Sequence, residues 1–347
     1  MLKLIKKIRL FFVLVLLIVN VKAGENLDNI KISGSVISDF YYIHSAETAV
    51  AANYKPKTQR QVYNERRSGF QFRRIYLSFD KKIDKEFSTR IRFEMSNTDY
   101  DYSKMHPTVK DAYLKWHYSD NHYAYFGISG SPAIGPIEKF WGYRLLEKSA
   151  SDYFGIRSSR DFGVALKGKI LRRINYHLFL GNGESNASEK SGTEDKLYSL
   201  SLHQQVAKNF YYQLYTDYRW AKDNNENEFT GQVFGGYKNK KFRIGLQYTY
   251  QDNKLMKTKK RGKIHLISLP FVYNYADKLS LIFRYIRYSA KEEQNYVEQS
   301  MIYGFEYKIR ANVFIMPNIT YTDYDFESND NLGKDIISKI TLAYKFN

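Results

Sequence analysis

The feature that most constrains this chain is the rhythm of its connections. Amphipathic segments of about ten residues are joined by links that alternate short and long from one end to the other. Within a segment, apolar and polar residues alternate with the period of two that a β-strand with unlike faces requires. Thr89, Ile91, Phe93 and Met95 alternate with Arg90, Arg92, Glu94 and Ser96. Ile75, Leu77 and Phe79 alternate with Arg74, Tyr76, Ser78 and Asp80, and Phe242, Ile244, Leu246, Tyr248 and Tyr250 with Arg243, Gly245, Gln247 and Thr249. The pattern predicts sixteen strands, at 30–43, 70–81, 87–97, 109–118, 122–130, 160–170, 173–181, 196–206, 210–221, 229–238, 241–252, 264–275, 278–289, 296–308, 312–323 and 333–346. Seven links are short, such as 119–121 and 276–277, and eight are long, such as 44–69 and 131–159. An up-and-down barrel with both chain ends on one side of a membrane requires this asymmetry. A soluble sandwich does not. The expected fold is all-β: a transmembrane up-and-down antiparallel β-barrel of about sixteen strands. Side chains cannot fill a barrel of that size, so an aqueous channel is expected.

The N-terminus fits export. Lys3, Lys6, Lys7 and Arg9 precede an apolar run over 10–19, and a small residue, Ala23, closes the segment. This is the layout of a secretory signal peptide. The run is too short for a membrane helix, which needs roughly 20 apolar residues. The chain is thus read as a signal peptide, 1–23, followed by one barrel domain, 24–347. Tyr (32) and Phe (23) are abundant and Pro (6) is scarce, as long strands with aromatic girdles demand. The chain has no Cys, which excludes disulfides, thiol chemistry and Cys-based metal sites. The formal charge is +18, and five of the basic residues lie in the leader, which has no acidic ones, leaving +13 for the remainder. That excess points to anionic solutes or an anionic surface rather than nucleic acid, given export. The expected location is the outer membrane of a Gram-negative cell. The expected partners are outer-membrane lipid, lipopolysaccharide, and small anionic or neutral solutes.

Strand parity assigns side chains to the lumen. The basic set is Arg74, Arg90, Arg92, Lys115, Lys167, Arg219, Arg243, Arg284 and Lys339; the acidic set is Asp80, Glu94, Asp111, Asp161, Asp217 and Glu306. Rings of basic side chains favour anions in pores, so a mild anion preference is expected. No Gly-x-Ser-x-Gly elbow, His-Glu-x-x-His motif or phosphate-binding loop occurs. The seven His residues are scattered. No catalytic residue, cofactor or metal is implied. The alternative readings are a non-conducting adhesin or structural barrel and, behind it, a barrel enzyme. The basic cluster Lys254, Lys257, Lys259, Lys260, Arg261 and Lys263 serves either anion attraction or plain solvation, as do the first-loop bases Lys55, Lys57, Arg60, Arg66 and Arg67.

Particular stretches resemble one family, the phosphate-selective porins of the O and P type. They are Phe-Arg-Arg-Ile-Tyr-Leu-Ser-Phe (72–79), Phe-Ser-Thr-Arg-Ile-Arg-Phe-Glu (87–94), Lys-Asp-Ala-Tyr-Leu-Lys (110–115), Tyr-Phe-Gly (125–127), Leu-Leu-Glu-Lys-Ser (145–149), Arg-Asp-Phe-Gly-Val (160–164) and Leu-Gly-Asn-Gly (180–183). Where members usually carry Gly-Gln-Phe-Lys-x-Pro, this chain reads Gly127-Ile128-Ser129-Gly130-Ser131-Pro132, without the Lys. In trimeric sixteen-stranded porins the third external loop folds inward and narrows the pore. The segment 131–159 holds that ordinal place, so the resemblance implies a constriction bearing Glu138, Lys139, Trp141, Arg144, Lys148 and Arg157, and a homotrimer. Ile336, Ile340, Leu342, Tyr344 and Phe346 share one face of the last strand, which looks like the segment read by the barrel assembly machinery. The usual pattern ends on the aromatic residue, whereas here Asn347 follows.

Overall fold

The computed structural model describes residues 30–45, 68–96, 105–171, 173–183, 185, 194–221, 227–254, 261–291, 296–326 and 333–347. The leader over 1–23, the first-loop bases from Lys55 to Arg67, and Lys257, Lys259 and Lys260 lie outside the described residues. Sixteen strands are present: β1 (Ile30–Ser45), β2 (Ser68–Lys82), β3 (Phe87–Ser96), β4 (His106–Ser119), β5 (His122–Gly130), β6 (Arg160–Ile170), β7 (Ile174–Gly181), β8 (Lys196–Gln205), β9 (Phe210–Trp220), β10 (Glu228–Lys238), β11 (Phe242–Lys254), β12 (Arg261–Ala276), β13 (Leu279–Lys291), β14 (Tyr296–Arg310), β15 (Val313–Phe326) and β16 (Lys334–Phe346). Each coincides with a predicted strand. Consecutive strands pair antiparallel, and β1 pairs with β16 to close the barrel. Closure leaves no strand edge, so every strand finds ladder partners on both sides.

Short turns at one end are made by local side chains. Asp84 accepts the backbone N–H groups of Glu86 and Phe87, at 2.8 and 2.7 Å. Asn239 does the same for Lys241 and Phe242. Asn121 sits in the left-handed region (φ 62°), which Asn tolerates better than most residues. These turns fix register, and with it which side-chain set of each strand faces outward.

The outer face is apolar. Leu114, Phe126, Leu178, Leu214, Leu246, Leu281 and Ile340 are exposed on β4, β5, β7, β9, β11, β13 and β16. Exposed aromatics mark both rims: Trp116, Phe242, Tyr307 and Phe346 near the short turns, and Phe40, Tyr198, Tyr218 and Phe229 near the long loops. Among the described residues no helix is long and apolar enough to cross a membrane. The crossing is made by strands, and the exposed apolar band is its lipid contact.

Leu246, 52% exposed midway along the outer face of β11, tests that assignment. Leu246→Arg should destabilise the barrel refolded in lipid vesicles by about 2–4 kcal/mol in a urea titration. A loss below about 0.5 kcal/mol, typical of solvent-exposed sites, would place this face in water instead.

Candidate functional site

The long segment between β5 and β6 lies inside the barrel. Its two ends are pinned together, Ser131 N–H donating to the Ser159 carbonyl at 3.0 Å. From there it runs along the inner wall. Gln213 on β9 donates to the Pro132 carbonyl and Gln232 on β10 to the Ala133 carbonyl, each at 2.8 Å. A short helix, α1 (Gly135–Trp141), then seats Ile137 and Phe140 against Phe234 on β10. Gly142 ends it in the left-handed region (φ 73°). A Cβ at this position would collide with the Arg243 guanidinium, which donates to the Trp141 carbonyl. A second turn, α2 (Ala150–Tyr153), places Ala150 and Ile156 against Ile264, Leu266, Ile286 and Tyr288 of β12 and β13.

The wall under this loop is built to receive it. Trp141, Tyr143 and Leu146 pack on Val272, Ile282, Ile302, Phe314, Met316, Ala343 and Ile37, which are the inward residues of β12 to β16 and β1. An apolar inner face would be costly against water and is stabilised by burial at roughly 25 cal/mol per Å2. Phe154 stacks on Tyr288 with centroids 4.5 Å apart. The polar side of the seat is a closed network: Ser151, Gln232, Gln247 and Thr249 satisfy one another within 2.6–3.4 Å.

Most of the predicted bases are engaged. Arg74 pairs with Glu94 at 3.1 Å, Arg90 with Asp80 at 2.6 Å, Arg92 with Asp111 at 3.1 Å and Arg219 with Asp195 at 2.7 Å. Arg243 holds the Trp141 carbonyl, and Arg284 holds the Lys148 carbonyl while lying 4.9 Å over the Trp141 ring. Of the nine, Lys115, Lys167 and Lys339 make no salt bridge or loop-carbonyl hydrogen bond among the described residues, although Lys339 acts on the Glu147 carboxylate at longer range. Lys115 sits 3.8 Å over the Tyr123 ring, and Lys167 sits 4.2 Å over Tyr125.

The six loop residues separate in the same way. Arg157 is clamped to Asp217 at 2.5 Å and to Glu228 at 3.0 Å, and Trp141 is 2% exposed, so both lie at the seam with the wall. Arg144 bridges Glu138 and Asp152 within the loop. Lys148 is half-buried near Asp152. Lys139 is exposed and faces a cavity of about 670 Å3 beside α1, toward the short-turn end. Lys167, Lys169 and Lys238 line the same cavity, and among the described residues no carboxylate does.

Strict alternation misses two further bases, Arg73 and Lys110. A β-bulge skips Arg73 between Ile37/Arg74 and Ser38/Phe72, so Arg73 and Arg74 both turn inward. Arg73 pairs with buried Asp39 at 3.0 Å and donates to the Leu145 and Leu146 carbonyls. A second bulge skips Lys110, which meets Glu94 at 2.8 Å. The sequence does carry the signal. Outward apolar residues switch parity from Phe70 and Phe72 to Ile75 and Leu77, and from Val109 to Leu114 and Trp116.

The sequence pattern of the family described as phosphate-selective porin O and P matches residues 51–132, which include β2 to β5 and both bulges. The chain resembles the phosphate-selective porins O and P. The barrel as a whole is similar to solved porins. The outer membrane channel DcaP of Acinetobacter baumannii superposes with a TM-score of 0.66 at 12% identity, over 91% of this chain and 97% of that one. An anion-selective porin from Comamonas acidovorans gives 0.65 at 9%, over 91% and 99%. The outer-membrane expressed OmpT of Vibrio cholerae gives 0.63 at 11%, over 91% and 97%. At such identities the likeness is one of fold. No curated protein matches the sequence.

In this porin-like barrel charge also helps to hold the loop. Burial pushes the Glu147 carboxyl up, but Arg73, Lys339 and Arg284 outweigh it and bring it down to about 2. Asp152 is likewise lowered, burial being outweighed by Lys148 and Arg144. Both carboxyls lie below their ordinary values in the folded state. Their contribution is therefore complete above the ordinary carboxylate range and is lost as pH falls through the folded values. Loop protection from protease should hold from pH 7 to 5 and decline between about pH 4 and 2. Protection unchanged at pH 2 would exclude this charge latch. Arg157→Met leaves Asp217 buried beside an apolar chain, at a cost of roughly 3–5 kcal/mol. In single-channel records it should give larger, noisier steps than the parent.

Proposed function

We propose that this protein is an outer-membrane porin that passes small hydrophilic solutes down their gradients with a preference for anions. The observation that carries the reading is the division of labour among its bases. The wall arginines spend their charge on carboxylates and loop carbonyls, whereas lysines without such partners line a cavity with no carboxylate among the described residues. The loop 131–159 acts as the constriction. It covers the apolar inner wall from β12 to β1 and confines water to the other side, next to the charged strands. Size is filtered by the loop, and sign is selected by unneutralised ammonium groups.

The preference is for anions in general rather than phosphate in particular. Phosphate is recognised best by guanidinium groups free to give two parallel hydrogen bonds. Arg74, Arg90, Arg92 and Arg219 already direct theirs to carboxylates. The missing Lys between Gly127 and Pro132 agrees with this. Export through the leader 1–23 and assembly as a homotrimer complete the proposal. OmpT of Vibrio cholerae, which shares the fold, has a trimer form.

The test is a planar bilayer under a KCl gradient. Stable conductance steps with a reversal potential leaning toward chloride are expected, and Lys139→Gln with Lys167→Gln should move it toward zero. Steps without ion preference would remove the anion bias. Silence from protein verified as folded would remove the channel.

A further inference from the structure

The cavity beside α1 carries more than charge. Its lining joins four lysines, Lys139, Lys167, Lys169 and Lys238, to the aromatic rings of Tyr123, Tyr125, Phe140, Tyr211 and Phe234. The rings fall in two sets, one on α1, β9 and β10 and one on β5. Phe140 meets Tyr211 edge-on at 5.6 Å and Phe234 at 4.9 Å. Tyr125 lies under the Lys167 ammonium at 4.2 Å and 5.9 Å from that of Lys115. An ammonium on a ring face still has N–H groups to give, and none of these lysines makes a salt bridge with a carboxylate among the described residues. The cavity also holds a second unmet group. His177 is buried, at 8% exposure, and its Nε2 has no hydrogen-bond partner among the described residues; neither does Nδ1 of the neighbouring His203. A buried polar atom without a partner is destabilising until something supplies one.

We infer that this cavity is a binding subsite for small aromatic carboxylates, placed at the short-turn end of the channel just past the constriction. The carboxylate would meet Lys139 and Lys167 and accept from His177 in the tautomer that carries the Nε2 proton. The ring would stack among Phe140, Tyr211 and Tyr125. The volume of about 670 Å3 suits such a molecule, since small-molecule sites run from roughly 300 to 1,000 Å3. Inorganic anions could use the lysines but would leave the rings idle, so charge alone does not account for this lining. The inference deepens the anion-channel reading and rests on it only for its meaning in transport. Binding itself can be measured whether or not the barrel conducts.

The experiment is titration calorimetry of the detergent-folded full chain with benzoate, cyclohexanecarboxylate and inorganic phosphate, followed by the same ligands as blockers of chloride current. Benzoate should bind about tenfold more tightly than either of the others, the difference expected of desolvated ring and cation–π contacts. Lys167→Gln and Lys139→Gln should each weaken benzoate binding by about tenfold, as the loss of one charge-assisted hydrogen bond predicts. Phe140→Leu, which keeps an apolar side chain, should erase the margin of benzoate over cyclohexanecarboxylate. Equal binding of benzoate and cyclohexanecarboxylate by the parent protein would overturn the ring subsite, whatever the variants do. Benzoate binding that ignores both lysine changes would place the ligand elsewhere. A chloride-selective channel that binds no benzoate would sink this inference and leave the porin reading standing. Tight benzoate binding by a silent barrel would do the reverse.

Discussion

Everything in this molecule follows from the backbone's need for hydrogen bonds in hydrocarbon. A strand facing lipid has no water to satisfy its N–H and C=O groups, so the sheet has to close. Here β1 meets β16, and the seam is reinforced from inside, where Thr341 donates to buried Asp39 at 2.6 Å. Closing sixteen strands solves the edge problem and creates another, because the ring is too wide to be filled by its own side chains. The loop between β5 and β6 answers it. It turns part of the lumen into a packed core and leaves the rest wet. The wall adapts accordingly, apolar inward from β12 to β1 and charged inward on β2 to β4.

The chemistry of the two kinds of base then decides their work. A guanidinium is rigid, planar and always charged, and in a confined site it needs fixed partners. Each wall arginine has them. Arg73, Arg243 and Arg284 grip loop carbonyls, and Arg74, Arg90, Arg92 and Arg219 grip carboxylates. The carboxylate-paired ones are neutralised locally and those on carbonyls are fixed in place, which suits both to holding architecture. Lysines on ring faces keep both charge and donors. On the proposed reading, a pore rich in arginine takes its ion preference from a few lysines.

Such an arrangement places stability and the proposed constriction in one segment. The loop is fixed by apolar packing against the far wall, by arginine clamps along its length and by the Arg157 anchor where it returns to β6. Because these contacts involve most of the barrel's inner circumference, the passage is set by the fold as a whole. The helix α1 shows the coupling directly: Phe140 packs into the wall while its neighbour Lys139 reaches the open cavity.

Strand number and the outer face were legible in the sequence, because period-two alternation and alternating link lengths are local properties that lipid enforces at every turn. The two bulges were legible in part, as parity switches around Arg73 and Lys110. The apolar inner wall left a trace too. In β13, Leu281, Ile282 and Phe283 run together without alternation, as a strand covered on both faces must. Which lumen bases would be neutralised was not legible, since Arg74 and Lys167 share the same inward parity and differ only in what the neighbouring strands and the loop bring to them. Sequence by itself determined the barrel, because every strand pairing except the closing β1–β16 one joins strands consecutive in the chain. Only the tertiary structure decided the site, because its partners come from strands and a loop far apart in sequence, brought together by closure.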